Sequence, residues 1–303
     1  MNHRPADSAI QPLVSVVIPA FNRARSVERA IMSVRDQTHK NVEIVVVDDA
    51  STDETFRVAT QLSAIEPRLR VVRLAANGGA QAARNAGIAS AHGAWLAFLD
   101  SDDTYLSDSI ERRLRTADRV GCAAVHSECL VLRDNGSQEP LGTPPMEGNI
   151  HKAVLARPGP TFPGLLVRRE CLLSIGGLDD AIVAYQEWDT AIRLSSVTRF
   201  AYVPEATFVW DQRSLDTISR DLRRSVAGYE QVVLKHVRAI LKGGGPSALA
   251  AHLREAGHLH YRAGDQGRAF SRYALSLAVW PFALPRAIRW VARAIRKQSQ
   301  VQL

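Results

Sequence analysis

Two stretches, LVSVVIPAFNR at Leu13–Arg23 and WLAFLDSDD at Trp95–Asp103, share one pattern: an apolar run that stops at polar residues. Between them VEIVVVDD, Val42–Asp49, repeats it. A continuous β-branched run without polar alternation is how a strand buried on both faces reads. Working outward, Val27, Ala30, Ile31 and Val34 recur at helical spacing behind Ser26, a plausible N-cap. Thr52–Ile65 reads as a second helix, Leu69–Leu74 as a third strand, and Gly79–Ser90 as a helix of small residues. Strand and helix alternate four times, which predicts an α/β chain with a mainly parallel sheet flanked by helices. Ligands of such sheets sit beyond the carboxyl ends of the strands. Pro19-Ala20-Phe21-Asn22, Asp48-Asp49 and Asp100-Ser101-Asp102-Asp103 all fall there, so they are expected in one crevice.

The last of these carries the strongest chemistry. Three carboxylates within four positions repel one another unless a cation sits between them. Hard cations such as Mg²⁺ or Mn²⁺ take one or two protein carboxylates and complete their shell with substrate phosphates. Asp100, Asp102 and Asp103 are therefore expected to form a metal-diphosphate site, with Asp102 and Asp103 as the predicted metal ligands. Asp49 ends its strand where a carboxylate can accept from a nucleobase N–H or a ribose hydroxyl. Ser51 and Asp53 can cap the following helix instead, which would leave Asp49 free.

Beyond Asp103 the pattern loosens. Ser107–Val120 reads as a charged helix and Cys122–Arg133 as a strand. Asp134–Pro145 reads as a loop, Gly164–Val167 as a strand and Arg169–Ile175 as a helix. After a Gly176-Gly177-Leu178-Asp179 turn, Glu187–Ser195 has helical spacing. Ala201–Val209 reads as a strand broken by Pro204. Gly243-Gly244-Gly245-Pro246 is a breaker. Leu249–Arg262 and Gly267–Val279 then form a helical hairpin around Gly264-Asp265, and Pro285–Lys297 a last helix. The expected organisation is a flexible leader (1–12), a catalytic domain (13–240, with halves 13–103 and 104–240) and a helical region (246–303). In the tail Arg286, Arg289, Arg293 and Arg296 share one helix face, with Ile288, Val291 and Ile295 on another. Such a helix either lies on an anionic membrane surface or packs its apolar face on the domain.

The chain has 303 residues, 46% of them hydrophobic, and a formal charge of +7, enough for one large domain and an appendage. Its three cysteines, Cys122, Cys129 and Cys171, have no CxxC spacing, which fits a reducing compartment. The N-terminus lacks the apolar core of a secretory signal. The apolar run Ala274–Leu284 is broken by Pro281 and is about half the length a spanning helix needs. A cytoplasmic location is expected, with or without peripheral attachment to the inner face of the cell membrane. No nucleic-acid partner is expected.

VSVVIPAFNR, VEIVVVDDASTDET, NGGAQAARNAGIASAHGAWLAFLDSDD and the later QEWD together resemble family 2 glycosyltransferases of the GT-A fold. The resemblance is dense over residues 14–103 and fades after about residue 215. It implies that Pro19, Ala20, Phe21 and Asn22 border the nucleotide and that Asp49 reads the base. Arg84, Asn85 and Gly87 match the helix flanking the donor. Asp100, Ser101, Asp102 and Asp103 match the region holding metal and diphosphate. Glu187 falls on the catalytic carboxylate, although the family's usual Glu-Asp pair is here Gln186-Glu187. The resemblance implies a metal-dependent, inverting enzyme that takes a nucleoside-diphosphate sugar, UDP-linked, to a glycan or lipid-linked acceptor. The processive QxxRW motif is missing before Arg289-Trp290, so a single addition is expected. The rival reading is an inactive sugar-nucleotide-binding module, favoured by the altered pair. A receiver domain would need a lysine at a later strand end, and a dehydrogenase would need GxGxxG after the first strand.

Overall fold

The computed structural model describes residues 11–142, 145–213 and 221–283. By contact the chain divides into two compact units. The first comprises residues 1–151, 159–180 and 187–215, the second residues 152–158, 181–186 and 216–303.

The first unit holds all nine described strands in one sheet. Strands β1 (Val14–Ala20), β2 (Val42–Asp48), β3 (Leu69–Arg73) and β4 (Trp95–Phe98) are parallel, in the order β3-β2-β1-β4. Helices α1 (Val27–Arg35), α2 (Thr55–Ser63) and α3 (Gly79–Ser90) connect them. Alternate residues of one strand serve both faces. Val14, Val16 and Ile18, with Ile44 and Val46, pack against Val27, Ala30, Ile31 and Val34 of α1, while Val45 and Val47 pack against Ala83 of α3. Each fully buried aliphatic side chain contributes about 1.5–3 kcal/mol of transfer free energy, and the buried hydroxyl of Ser15 within the β1 run is satisfied by donating to Glu43. Gly87 lets α3 lie directly on β1, since a β-carbon there would stand 2.3 Å from Cγ1 of Val17. The chain runs from β1 outward to β3, then returns to place β4 on the other side of β1. The direction reverses between β1 and β4, where such sheets bind ligands.

The remaining strands are mixed in direction. After β5 (Thr104–Tyr105) and α4 (Ser109–Val120), strand β6 (Ala124–Leu132) pairs in parallel with β9 (Phe200–Asp211). Strand β8 (Leu166–Arg168) runs antiparallel between β4 and β6. Strand β7 (Gln138–Pro140) pairs with β6, so the predicted loop from Asp134 contains a short hairpin strand. Strand β9 also departs from expectation, because Pro204 does not break it. The register shifts opposite Ser127 and Glu128, so Val203 faces Ser127 and Ala206 faces Glu128. Proline has no N–H for the ladder, and a bulge is where a sheet accommodates it. Ser26 stands at the start of α1 but makes no side-chain capping bond.

Helix α5 (His151–Ala156) opens the second unit, and α6 (Arg169–Ser174) and α7 (Gln186–Leu194) follow in the chain. Among its described residues the second unit also holds the helices α8 (Leu222–Lys235), α9 (Val237–Arg262) and α10 (Gln266–Val279). Helix α9 is kinked at Gly245 (φ 66°, ψ −171°), immediately before Pro246, as the breaker predicted. Helices α9 and α10 form the expected hairpin, and Asp265 caps α10 by accepting from the Arg268 amide at 3.0 Å. The tail helix from Pro285 and most of the leader lie outside the described residues. Among the described residues no helix is long and apolar enough to cross a membrane.

Candidate functional site

The strand ends converge through their loops. After β1, Phe21 is exposed and Asn22 takes a left-handed conformation (φ 53°). The Asn22 amide donates to Oγ of Ser51 at 3.0 Å, and its Oδ1 accepts from the Thr52 amide at 2.9 Å. The exits of β1 and β2 are thereby tied together. Asp53 accepts from the amides of Thr55 at 2.9 Å and Ala24 at 3.2 Å, the capping task expected of it. Asp49, however, is not left idle. It is buried, and its two oxygens accept from the Gly78 and Gly79 amides at 2.7 and 2.8 Å, so it caps α3 rather than α2. A carboxylate at that helix N-terminus is stabilised by the aligned peptide dipoles.

The turn after β4 is held by arginines. Arg84, buried on α3, donates to Asp100 at 2.5 Å and to Gln81 at 2.9 Å, and its guanidinium lies 4.4 Å over the ring of Phe162. Ser101 is buried. Asp102 faces Arg23 at 3.7 Å, and its carbonyl accepts from Arg29 at 2.8 Å. Asp103 is buried and accepts from the Asp211 amide at 2.9 Å. The same Arg29 donates to the Asp211 carboxylate at 2.9 Å, which Arg213 also meets at 2.7 Å. Burial, then repulsion from Asp100, pushes the carboxyls of Asp102 and Asp103 above the usual range, Asp103 well above.

That environment fits a divalent cation. A buried and a partly buried carboxylate beside a third are destabilised by their own charge, and a hard cation would relieve them. Among the described residues no three His, Cys, Asp or Glu side chains form a ready cage. The donor set therefore suits an ion that keeps most of its shell for water and phosphate oxygens, as Mg²⁺ does.

The QEWD segment begins α7. Trp188 is fully buried. Asp189 is buried and accepts from Arg193 at 2.8 Å, while Arg193 also donates to the carbonyls of Ile175 and Gly177 at 3.0 and 2.6 Å. From the other side Asn85 holds the same turn, donating to the Leu178 carbonyl at 2.8 Å and accepting from its amide at 2.9 Å. Both ends of the Asn85 amide are thus spent on the turn. Glu187 is half-buried. Loss of solvent, the largest influence, pushes its carboxyl up; Arg84 pulls it down and Asp100 raises it further. Glu187 therefore lies within electrostatic reach of the turn after β4.

Sequence reading missed Arg29, Phe162 and Asp211. The first two carry no local signal. Asp211 does, because FVWD at the end of β9 repeats the apolar-run-then-acid pattern of VVVDD and AFLD.

A family model described as glycosyl transferase family 2 matches residues 15–170. TuaG of Bacillus subtilis, whose name assigns it to teichuronic acid biosynthesis, is 42% identical over 127 residues, covering 42% of this chain and 50% of TuaG. The match thus spans about half the length of that relative. Among solved structures, TarS 1–349 of S. aureus in complex with UDP-GlcNAc is alike with a TM-score of 0.60 at 16% identity, covering 86% of this chain and 90% of that one. The mannosyltransferase PcManGT of Pyrobaculum calidifontis, in complex with GDP-Man and Mn²⁺, gives 0.62 at 22% identity, covering 91% and 81%. At these identities the likeness is one of fold, the GT-A type.

Proposed function

We propose, from the premise that the chain belongs to glycosyl transferase family 2, that it transfers a single sugar from a nucleoside-diphosphate donor to an acceptor hydroxyl with inversion. The observation that carries this reading is the crowded turn at the end of β4, where Arg84 meets Asp100 at 2.5 Å and burial, then Asp100, holds the carboxyls of Asp102 and Asp103 above the usual range. In this reading Pro19, Ala20, Phe21 and Asn22 border the nucleotide. Asp49 offers its remaining lone pairs to the base while it holds α3. Arg84 and Gln81 fix Asp100, and Arg29 fixes the backbone of Asp102. Asp102 and Asp103 would hold Mg²⁺ or Mn²⁺, which when bound neutralises charge building on the departing diphosphate. Glu187, with its raised carboxyl, accepts the acceptor's hydroxyl proton as the new bond forms at the anomeric carbon from the face opposite the diphosphate.

The donor is proposed to be UDP-linked. The acceptor is proposed to be a glycan or lipid-linked intermediate of surface polysaccharide or glycolipid assembly, the class of product that TuaG's name carries. Peripheral attachment through the basic tail is proposed as one of the two readings its sequence allows, and liposome flotation with and without residues 285–303 tests it; equal flotation would favour packing on the domain. A panel of UDP-, GDP- and dTDP-sugars with Mn²⁺ tests the main reading. It expects release of the nucleoside diphosphate from one class and loss of turnover on chelation. Tight binding without turnover of any donor would favour the inactive module that Gln186-Glu187 suggests.

A further inference from the structure

Gln186 precedes Glu187 by one peptide bond and ends a six-residue strap, residues 181–186, that belongs to the second unit. Helix α8 of that unit grips the strap along its length. Gln231 accepts from the Val183 amide at 3.0 Å and donates to the Ala181 carbonyl at 3.3 Å. Arg224 donates to the Val183 carbonyl at 2.8 Å. At Gly228 the two backbones touch: a β-carbon would stand 2.5 Å from the Ala184 carbonyl oxygen and 2.6 Å from its nitrogen. The Tyr185 ring meets Tyr229 edge-on, 5.4 Å between centroids.

Tyr229 is anchored in turn. Its hydroxyl lies 2.8 Å from Nδ1 of buried His252, whose Nε2 lies 2.8 Å from the Leu155 carbonyl. A carbonyl only accepts, so Nε2 carries the proton; burial pulls the His252 pKa down and favours the neutral ring, in which Nδ1 accepts from the phenol. The imidazole is then neutral and fully satisfied. The strap also carries strain, because Tyr185 has φ 57°, a left-handed conformation a β-carbon disfavours. Such residues persist where their surroundings over-determine them and cluster at functional positions. Gln186 closes the strap by donating from Nε2 to the Ile182 carbonyl at 2.8 Å, a bond that the carboxylate of a glutamate could not make.

We infer that α8 is the positioning element of the transfer reaction: by clamping residues 181–186 through Arg224, Gly228, Tyr229 and Gln231 it fixes where α7 starts and hence where Glu187 leaves the backbone. The inference rests on Glu187 as the base. It gives the glutamine of Gln186-Glu187 a reason.

The test compares Gly228→Ala, Gln231→Ala and Gln231→Glu with wild type and Glu187→Gln, all in the full chain. Turnover is followed with UDP-GlcNAc and GDP-mannose plus Mn²⁺, and backbone hydrogen exchange is followed without donor. A misplacement of about 1 Å can cost about a hundredfold in rate. Gly228→Ala is therefore expected to lower kcat at least about tenfold with the donor KM within about twofold. Gln231→Ala should do so less, and Gln231→Glu, which still accepts from Val183, should recover part of it. Faster exchange at Val183 and in the first turn of α7, with β1–β4 unchanged, is expected in Gln231→Ala whether or not either donor is turned over. A lower melting point with wild-type kcat below it, or unchanged exchange in α7, would overturn the positioning role. Full activity of Glu187→Gln would instead remove the base assignment on which the inference stands.

Discussion

In the Asp100–Asp103 turn three carboxylates crowd within four positions, and in α7 Glu187 and Asp189 stand two positions apart. The first group is only partly compensated: Arg84 takes Asp100, but Asp102 and Asp103 are held above the usual carboxylate range by burial and by Asp100. The two acids of α7 meet opposite fates. Two helical positions separate them by about 200°, so they face different surroundings. Asp189 is sealed in and matched by Arg193, whereas Glu187 keeps partial exposure and a raised carboxyl. An acid that serves only the fold acquires a cation and hydrogen bonds. An acid kept under electrostatic load without such a match is available to a ligand.

The largest expected effect breaks this contrast at its sharpest point. Glu187→Gln should lose turnover at least about a hundredfold while keeping donor affinity, since removing a general base costs about a hundred to ten thousandfold. Asp189→Asn should do the reverse. It weakens the bond to Arg193 and loosens the clasp on Ile175 and Gly177, a loss of about 2 kcal/mol of stability measurable by denaturant titration. If Asp189→Asn is stable but inactive and Glu187→Gln turns over normally, the roles are exchanged.

The smallest effect concerns pH. A carboxyl with a raised folded-state pKa contributes stability that is present in acid and lost as pH rises through that pKa. Asp103→Asn can still accept from the Asp211 amide but carries no charge. Without metal it should melt above wild type at neutral pH, and the gap should narrow as pH falls. An equal gap at every pH would mean that the repulsion at Asp103 has been misjudged.

The first hundred residues were legible because local and global signals agree there. The runs at Val14, Val42 and Trp95 are buried on both faces, so their patterns name a parallel sheet without tertiary information. The strand-end acids follow from the same pattern. The later half resisted for physical reasons. Strand β9 hides a bulge at Pro204, α8 lies in a stretch whose periodicity drew no assignment, and β5 is two residues long. Asp49 was misjudged in part, because the helix it caps begins about thirty residues later, at Gly78 and Gly79, where no local pattern points back to it. Arg29 and Phe162 act at the site only through contacts that span much of the sequence.

The central claim is that the turn after β4 receives a metal-bound diphosphate, and calorimetric titration tests it most directly. Wild type, Asp102→Asn and Asp103→Asn are titrated with UDP and with GDP, with and without Mn²⁺. The account predicts Mn²⁺-dependent binding of one nucleotide to wild type, weakened at least about tenfold by Asp102→Asn and by Asp103→Asn, each of which removes one proposed metal-ligand charge. Binding that is undiminished in both variants, or indifferent to Mn²⁺ in wild type, would contradict it.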